Sequence, residues 1–253
     1  MQFNKKIYEN SNIIITACII TKNAQETLSN TLHNLSFVDE MVIVDDYSED
    51  NTREVAKTFH ARVYKRRLNS DFAGQRNYAL SKAKQGWVLF LDADETLSLP
   101  LLDEIKQAVK STKYNGYYIR RDDVFLGKKL KHGETKNTYL LRLARKGSGK
   151  WVRPVHEYWQ VKKTKKLKHP ILHYSHQSIS SFINKINSYT TIEASYRKSR
   201  NIKTNLFEII FYPIGKFIYN HIIKLGFLDG FEGFIMSFMM SLHSFMVRVK
   251  MYK

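Results

Sequence analysis

The chain of 253 residues lacks several features that define common protein classes. It has one cysteine, Cys18, which excludes a disulfide framework and is typical of a reducing compartment. Because Cys18 lies in an apolar run, we expect an inert core thiol. The sequence contains neither G-x-x-x-x-G-K-[ST] nor G-x-G-x-x-G after its first predicted strand, so a P-loop or dinucleotide-binding site is excluded. A phosphorylated ligand would need another means of binding, such as a metal ion.

Long uncharged hydrophobic runs are also missing. The longest in the apolar C-terminal part, residues 233–247, has 15 residues and is too short to cross a bilayer. Two amphipathic helices in the membrane interface fit this part better, with the lysines and arginine of residues 203–250 near head groups. Alternatively, these helices pack on the rest of the chain or on a second copy.

Residues 13–20 predict a buried strand and not a signal peptide, because polar residues separate them from Lys5 and Lys6.

Acidic residues are scarce, and the imbalance is uneven along the chain. The net charge is +18, and residues 113–168 hold 17 Lys and Arg against four acids. Such a segment indicates an anionic partner, which could be nucleic acid, phospholipid head groups or a phosphorylated substrate. The alternative is a basic surface that only contacts solvent. Zinc-finger spacing, a helix-turn-helix and an aromatic RNA-binding signature are all absent, so we expect no nucleic-acid partner.

The first hundred residues alternate strands with helices. Strands are predicted at 13–21, 41–46, 61–66 and 87–92, and helices at 25–35, about 52–59, 73–84 and 100–110. This order predicts a parallel sheet with helices on both faces, in which ligands bind at the carboxyl ends of the strands. Further on, segments 114–127, 138–145 and 150–161 suggest more antiparallel strands, and 178–199 predicts a helix. The fold class is therefore α/β with a mixed sheet.

Polar residues follow three of the predicted strands where each strand ends. They are Thr21-Lys22-Asn23, Asp45-Asp46 and Asp92-Ala93-Asp94. Carboxylates this close raise each other's pKa, and a hard divalent cation bound through oxygen would relieve the repulsion. Since Ser48 and Asp50 can cap the next helix, we expect Asp45 and Asp46 both to be free for ligands.

Four motifs carry a resemblance to a known family. ACIITKNA, VDDYSEDNT, AGQRNYAL and FLDADE resemble the N-terminal half of family 2 glycosyltransferases of the GT-A fold. RPVHEYW, HYSHQSISSFINKINSYTTIEA and KLGFLDGFEGF are similar to bacterial lipopolysaccharide-core glycosyltransferases that add glucose to the inner core. Two positions depart from the usual pattern. Ile20 stands where proline usually precedes the threonine, and Tyr47 stands where the second motif often has glycine.

The resemblance implies a Rossmann-like GT-A domain with a mixed central sheet, followed by C-terminal amphipathic helices. The catalytic domain would span 1–200, with a donor half of about 12–112 and an acceptor half of about 113–200. Residues 201–253 would form a helical segment for membrane association or oligomerisation. Thr21 and Asn23 would border the nucleotide, and Asp46 would hydrogen-bond the uracil or ribose. Arg76 would lie near the diphosphate or base. Asp92 and Asp94 would hold Mn²⁺ or Mg²⁺, with Asp94 as direct ligand.

An inverting transfer also needs a base for the acceptor hydroxyl, which should come from the second half of the chain. Glu157 is the predicted base because it is the only acid between Lys136 and Glu193. Asp122 and Asp123 are rivals, and an ordinary salt bridge is the alternative role for Glu157. The neighbouring His156, Arg153 and Trp151 are candidates for binding the acceptor. His169, His173 and His176 cluster within eight residues, but no nearby Cys or acid completes a zinc site.

The sequence therefore predicts a glycosyltransferase that moves a hexose, glucose by resemblance, from a UDP-sugar to an anionic lipopolysaccharide-core glycolipid. It would act on the cytoplasmic face of the inner membrane as a peripheral protein, with a homo-oligomer possible. A polyprenyl-phosphate or capsule-intermediate acceptor is the alternative, and a basic nucleic-acid-binding module is a remote one.

Overall fold

The parallel half of the sheet forms as predicted. The computed structural model describes residues 13–175 and 178–252, so Lys5, Lys6 and His176 lie outside the described residues. Strands β1 (Ile15–Thr21), β2 (Glu40–Asp45), β3 (Arg62–Lys65) and β4 (Trp87–Asp92) pair in parallel in the order β3-β2-β1-β4. The helices between and after them are α1 (Gln25–His33), α2 (Thr52–Thr58), α3 (Phe72–Lys82) and α4 (Leu99–Ala108).

Helices cover both faces of this sheet, which explains the uninterrupted apolar runs of its central strands. Ala17, Ile19 and Leu89 belong to one buried cluster with α1 and α4, while Cys18 and Phe90 belong to a second cluster with α3. Successive side chains of a strand point to opposite faces, so a strand buried on both sides must be apolar throughout. Burial also raises the pKa of the Cys18 thiol, which makes it an inert core residue as expected.

The second half extends the same sheet with mixed strand directions. Strand β8 (Thr138–Arg145) pairs antiparallel with β4 and with β6 (Gly116–Phe125), and β11 (Thr164–His173) then pairs parallel with β6. The edge strand β5 (Glu95–Leu97) pairs with β11, and β7 (Lys128–Lys129) pairs with β6. A separate hairpin consists of β9 (Gly149–Val152) and β10 (Tyr158–Val161).

Three strands of this half are not predicted by the sequence pattern. β5 has only three residues and β7 only two, too few to show a period. β11 contains three exposed lysines and Pro170, which follows a shift in its register with β6. Proline in a strand is tolerated at such irregularities, so the pattern underestimates this strand.

The C-terminal helices pack on one another and contact the end of β6. They are α5 (Ile179–Ser199), α6 (Leu206–Ile218) and α7 (Gly230–Tyr252), with a π-helical turn at Tyr219–Ile223 and a 3-10 turn at Gly226–Asp229. Phe182 of α5 and Met236 and Met239 of α7 share a buried cluster with Phe125. Helices α6 and α7 run antiparallel, since Ser241 donates to the Pro213 carbonyl at 2.7 Å and Arg248 lies over Tyr212. Within the described part of the chain, each helix is too short or too polar to span a bilayer.

Candidate active site

A cleft of about 1170 Å³ opens where β1 and β4 end, between the two halves of the sheet. Its walls include most of the predicted site residues, namely Thr21, Asn23, Arg76, Asp92, Asp94, Trp151, His156 and Glu157. Asp46, Arg153 and the rival acids Asp122 and Asp123 do not line it. Residues from the predicted donor and acceptor halves thus meet in one cavity.

Arg76 lies at the centre of this cleft and joins its two sides. Its Nη2 donates to Asp92 Oδ1 at 2.6 Å, and its Nε donates to Glu157 Oε1 at 2.7 Å. The guanidinium stacks over the Trp151 ring at 4.8 Å and is almost fully buried. Burial works against the charge, but Asp92 and Glu157 more than offset it and raise the pKa of Arg76, so it stays protonated.

The residues beside Arg76 explain why its segment reads GQRN. Asp71 accepts from the Gly74 amide at 2.9 Å and so caps the start of α3. Asn77 both donates to the Trp151 carbonyl and accepts from the Trp151 amide, at 2.9 Å each. Helix α3 is therefore fastened to strand β9, which fixes the position of Arg76 over the Trp151 ring.

Asp92 is held by two arginines. Besides Arg76, Arg142 of β8 donates from Nη2 to Asp92 Oδ2 at 2.7 Å and to Glu95 Oε1 at 2.8 Å. Burial raises the pKa of Asp92, but Arg142 and Arg76 outweigh it and hold that pKa well below its usual range. Glu95 is fully buried, and burial raises its pKa in spite of Arg142. The Glu95 carboxylate also accepts from the Asp92 amide at 2.9 Å, which shapes the turn after β4.

Asp94 faces a different set of cations. His173 Nε2 lies 3.4 Å from Asp94 Oδ1, and Lys185 Nζ lies 3.6 Å from Oδ2. Burial opposes ionisation of Asp94, but His173 and Lys185 lower its pKa below the usual range. His173 also bonds Asp123 through Nδ1 at 2.5 Å; although burial opposes its charge, Asp94 and Asp123 raise the pKa of His173 to about 9.

Asp94 and His173 can hold a divalent cation when the ion displaces the proton from His173 Nε2. The 3.4 Å between Asp94 Oδ1 and His173 Nε2 is close to the roughly 3 Å between adjacent ligands of an octahedral ion. The hydrogen bond from Nδ1 to Asp123 is the kind of second interaction that orients a ligating histidine. Among the described residues no group of three or more His, Cys, Asp or Glu is arranged around a metal position. A cation here would have two protein ligands, with the rest from a bound molecule or water.

The first strand end contributes polar groups to the cleft mouth. Thr21 is buried, and its Oγ1 has no hydrogen-bond partner within the described structure. Asn23 adopts a positive φ of 47°, a conformation that asparagine tolerates well. Its amide donates to Ser48 Oγ at 2.8 Å, and its Oδ1 accepts from the Glu49 amide at 2.9 Å. The loop after β1 is therefore tied to the loop after β2.

The expectation that Asp45 and Asp46 are both free for ligands is wrong. Asp45 is fully buried and accepts from the Ser48 amide at 3.0 Å and from its hydroxyl, so it is engaged in the turn before α2. Asp46 accepts from the Leu68 amide at 3.0 Å and pairs with Lys22 at 3.1 Å. Lys22 itself lines the cleft, so Asp46 adjoins the cavity without facing it.

The predicted acceptor residues occupy three different settings. Trp151 is buried and stacks on Trp159, with ring centroids 5.5 Å apart, so it supports Arg76 from below. His156 lies at the cleft wall beside Glu157 and contacts His243 of α7. Arg153 points away and forms hydrogen bonds of 2.9 and 3.0 Å to Glu193 of α5.

Sequence reasoning missed Arg142, His173 and Lys185. Arg142 resembles any basic residue of a lysine-rich segment, and only the antiparallel pairing of β8 with β4 brings it to Asp92. His173 was set aside because no acid is near it in sequence. Its acids come instead from Asp94 and Asp123, about 50 to 80 positions earlier. His173 directly follows the apolar pair Ile171-Leu172, as the other site residues follow apolar strands, but the strand that contains it was not predicted.

Comparison with known proteins now decides the family. The model for "Glycosyl transferase family 2" matches residues 16–186, which include the whole cleft floor from β1 to the start of α5. The chain belongs to glycosyl transferase family 2. It is thus a glycosyltransferase, as the motifs predicted.

Similar proteins agree with this assignment of the glycosyltransferase. An uncharacterized glycosyltransferase of Rickettsia typhi is 27% identical over 252 residues, covering 94% of this chain and 86% of its own. The lipopolysaccharide core biosynthesis glycosyltransferase LpsC of Rhizobium meliloti is 24% identical, covering 94% and 92%. Glucosyl-3-phosphoglycerate synthase of Mycobacterium tuberculosis, solved with Mn²⁺, UDP and glucosyl-3-phosphoglycerate, superposes with a TM-score of 0.50 at 12% identity, covering 77% and 82%. This last likeness supports the GT-A fold of the glycosyltransferase.

Proposed function

We propose that this enzyme transfers a hexose, glucose in the first instance, from a UDP-sugar to a lipopolysaccharide-core or related glycolipid, with inversion. The observation that carries the proposal is the bridge made by Arg76 between Asp92 and Glu157. It brings the candidate base of the acceptor half and the acidic motif of the donor half into one cleft. In this assignment residues 1–200 perform catalysis, and residues 201–253 associate with a membrane or a second copy.

The donor side suits a nucleoside diphosphate. Thr21 offers an unpartnered hydroxyl, Lys22 is an exposed cation at the cleft mouth, and Asn23 borders the same wall. Lys185 and Arg121 add positive charge deeper in the cleft, which favours a phosphorylated ligand. A similarly folded synthase was solved with UDP and Mn²⁺, which is consistent with this choice of donor.

A divalent cation, Mn²⁺ or Mg²⁺, would be held by Asp94 and His173. When bound, such an ion neutralises the charge that develops on the leaving diphosphate. Asp92 contributes indirectly, because both of its oxygens are engaged by Arg76 and Arg142. Asp94 is therefore the direct ligand in this proposal, and Lys185 leaves its present partner to meet a phosphate oxygen.

Glu157 acts as the general base. Arg76 holds Oε1, and the carboxylate takes the proton of the acceptor hydroxyl as that oxygen attacks the anomeric carbon. The bond between the anomeric carbon and the diphosphate oxygen breaks, and UDP leaves with the electron pair. Attack from the face opposite the leaving group inverts the anomeric configuration. Asp122 and Asp123 are poorer candidates, since salt bridges to Arg120, Lys129, Arg121 and His173 engage them outside the cleft.

The acceptor is proposed to be an anionic glycolipid on the inner face of the cytoplasmic membrane, where the enzyme is a peripheral protein. The concentration of lysine and arginine in residues 113–168 suits phosphates on that acceptor. The similarity to LpsC over 94% of the chain favours a lipopolysaccharide core. The same charge also suits polyprenyl phosphate or a capsule intermediate, which is the second candidate. Nucleic acid is not proposed, because the carboxylate-rich strand ends repel phosphates unless a cation is bound.

Binding of UDP measured by calorimetry tests the donor site. The wild-type protein should bind UDP in Mn²⁺ or Mg²⁺ and lose most of that affinity when the metal is chelated. Asp94→Ala should abolish the metal-dependent part, while Asp122→Ala, outside the cleft, should bind as wild type does. A folded wild-type protein that ignores UDP under both metals would refute a UDP donor.

Transfer assays test the acceptor. UDP-glucose should yield a glucosylated product with a purified lipopolysaccharide-core glycolipid, and less or none with polyprenyl phosphate. The opposite preference would replace the first acceptor by the second. A product that keeps the anomeric configuration of the donor sugar would contradict the role given to Glu157.

A further inference from the structure

Helix α6 turns an apolar face to solvent. Phe207, Ile210, Phe211, Ile214 and Ile218 follow helical spacing along one side, and each is between 44% and 64% exposed. The opposite side packs inward through Ile209 and Pro213, which are buried. A surface helix of a soluble protein normally shows polar residues on the side that faces water. This helix has apolar residues on both.

Helix α7 has the same property. Its inner side buries Met236, Met239 and Val247, whereas a second stripe remains exposed. That stripe consists of Phe231, Phe234, Phe238, Phe245, Val249 and Tyr252, each between 41% and 70% exposed. Phe234 contacts Phe217 of α6 with ring centroids 5.8 Å apart, which joins the two helices.

The connection between the helices is apolar as well. Ile222, Ile223, Leu225, Phe227 and Leu228 are all at least 43% exposed. Together with the stripes of α6 and α7 they form what we call the hairpin surface. Contiguous exposed apolar areas of this extent mark sites of association and are not a normal feature of a free surface.

A basic loop borders the tip of the hairpin surface. Lys128 donates to the Asp229 carbonyl at 2.6 Å, and the amides of Lys131 and His132 donate to Asp229 Oδ2 at 2.9 and 2.7 Å. The Gly133 amide donates to the Lys224 carbonyl at 2.9 Å. Loop 126–137 is thereby fastened beside Phe227 and Leu228, and the side chains of Lys131 and Lys136 are exposed there.

We propose that the hairpin surface lies in the interface of a lipid bilayer that contains anionic lipids, with the lysines of loop 126–137 at the head groups. Amphipathic helices bind in this way when apolar side chains reach the acyl boundary and cations meet anionic phosphates. A second copy of the chain is disfavoured as the occupant, because each copy carries a net charge of +18 and two copies repel each other. An anionic bilayer satisfies both the apolar area and the charge.

Docking in this way sets the orientation of the cleft. His156 in the cleft wall contacts His243 of α7, and Lys250 of α7 donates to the Asn187 carbonyl of α5 at 2.6 Å. Because α5 also lines the cleft through Ser181 and Lys185, the wall nearest the predicted base adjoins the docked helices. Only this orientation rests on the proposed function. The docking itself needs neither donor nor acceptor.

Flotation of the full-length protein with lipid vesicles tests the apolar part. The protein should float with vesicles of phosphatidylcholine mixed with phosphatidylglycerol. The double change Phe207→Ser and Phe211→Ser should weaken partitioning by about tenfold or more, given the transfer free energy of two phenylalanines. Leu99→Ser is the matched control, since Leu99 is 77% exposed on α4, and it should float as wild type does. Equal flotation of the double variant, or equal loss by the control, would overturn the proposal.

A spectroscopic measurement guards against misfolded variants. Phe211→Trp should shift its emission to the blue when vesicles are added, whereas Leu99→Trp should not. Lack of a shift at position 211 in a folded protein would refute insertion. Sedimentation without lipid gives a further check, since a stable dimer dissociated by the serine changes would assign the hairpin surface to a second copy.

The contribution of the loop lysines to vesicle binding is tested separately. Lys131→Glu with Lys136→Glu should weaken binding to mixed vesicles and make it resemble binding to phosphatidylcholine alone. Lys150→Glu, an exposed lysine of β9, should have little effect. Binding that is the same on both kinds of vesicle at low salt would exclude the anionic-lipid requirement. Because UDP is absent throughout, a failure here is distinct from a failure of the donor site.

Discussion

Arg76 Nε donates to Glu157 Oε1 at 2.7 Å, although the two residues are 81 positions apart in the chain. The arginine is nearly inaccessible to solvent and belongs to a helix that is fastened to β9 on its other side. The carboxylate proposed as the base is therefore positioned before any substrate arrives. The same guanidinium reaches Asp92, so a change at either acid alters the setting of the other.

Replacing Arg76 separates its structural role from its positioning role. Arg76→Ala leaves the half-buried Glu157 without its arginine and leaves Asp92 with Arg142 alone, so we expect a loss of about 3 to 5 kcal/mol in the free energy of unfolding. Arg76→Lys retains the charge but cannot donate to both acids in the same geometry. It should lower turnover at least about tenfold with a smaller loss of stability. Urea unfolding and initial rates distinguish the two. Arg120→Lys, at the half-buried pair with Asp122 outside the cleft, should change neither.

The base role of Glu157 predicts a specific kinetic pattern. Glu157→Gln keeps the shape and one acceptor oxygen for Arg76 but cannot accept a proton, so turnover should fall by about 10²- to 10⁴-fold. Metal-dependent UDP binding should persist, because the carboxamide is not part of the donor site. Asp122→Asn provides the comparison among rival acids. If that variant lost turnover and Glu157→Gln did not, the base would have been assigned to the wrong residue.

Gly149 is required by a close approach of two strands. A Cβ at this position would lie 1.9 Å from the Gln160 carbonyl oxygen, so Gly149→Ala must push β9 and β10 apart. We expect a destabilisation of about 2 kcal/mol or more, accompanied by loss of turnover, since β9 carries Trp151 beneath Arg76. Gly215→Ala is the matched control in α6, where no atom lies within 4 Å. It should stabilise the protein by up to about 1 kcal/mol.

His243 predicts a dependence of stability on pH. Burial, with a contribution from nearby His156, lowers the pKa of His243 from 6.5 to about 4. The unfolded chain therefore binds a proton at a higher pH than the folded protein does, and stability falls as the pH drops below 6.5, until about 4. The whole effect is at most about 3 kcal/mol.

Urea unfolding over that pH range measures the effect. In His243→Phe the part of the slope that comes from this residue should disappear, which makes the variant less sensitive to acid than the wild type. The exposed His60 provides a control through His60→Phe, which should retain the wild-type slope. A His243→Phe protein with unchanged acid sensitivity would show that other groups account for it.

The order of strands and helices up to β4 was predictable because local patterns determine it. The runs at 13–21 and 87–92 are apolar on both faces, and the charged residues that follow them mark the strand ends. Parallel topology alone places Asp92 and Asp94 at the cleft, whereas Arg76 was assigned to it from its family motif. Glu157, which was predicted as the only acid of a long basic segment, also lines the cleft. Its catalytic role remains a prediction.

The partners of these residues were not predictable, because they depend on pairings between distant segments. Arg142 meets Asp92 only since β8 lies beside β4 in the opposite direction. His173 meets Asp94 through β11, a lysine-rich strand interrupted near Pro170, whose pattern conceals its burial. Asp45 was expected to be free for ligands because Ser48 and Asp50 could equally cap the following helix. In each case several local solutions were available, and tertiary packing selected one.

The short strand β5 has a consequence for how the enzyme is made. It follows the Asp92-Ala93-Asp94 motif directly, and its Glu95 pairs in register with His173 of β11. A ribosome must therefore synthesise the chain to the end of β11 before the turn with the acidic motif has its native neighbours. A nascent chain released earlier would contain every donor motif and still lack His173 beside Asp94. Such long-range pairings form slowly, so the parallel core can assemble before the acidic motif meets His173.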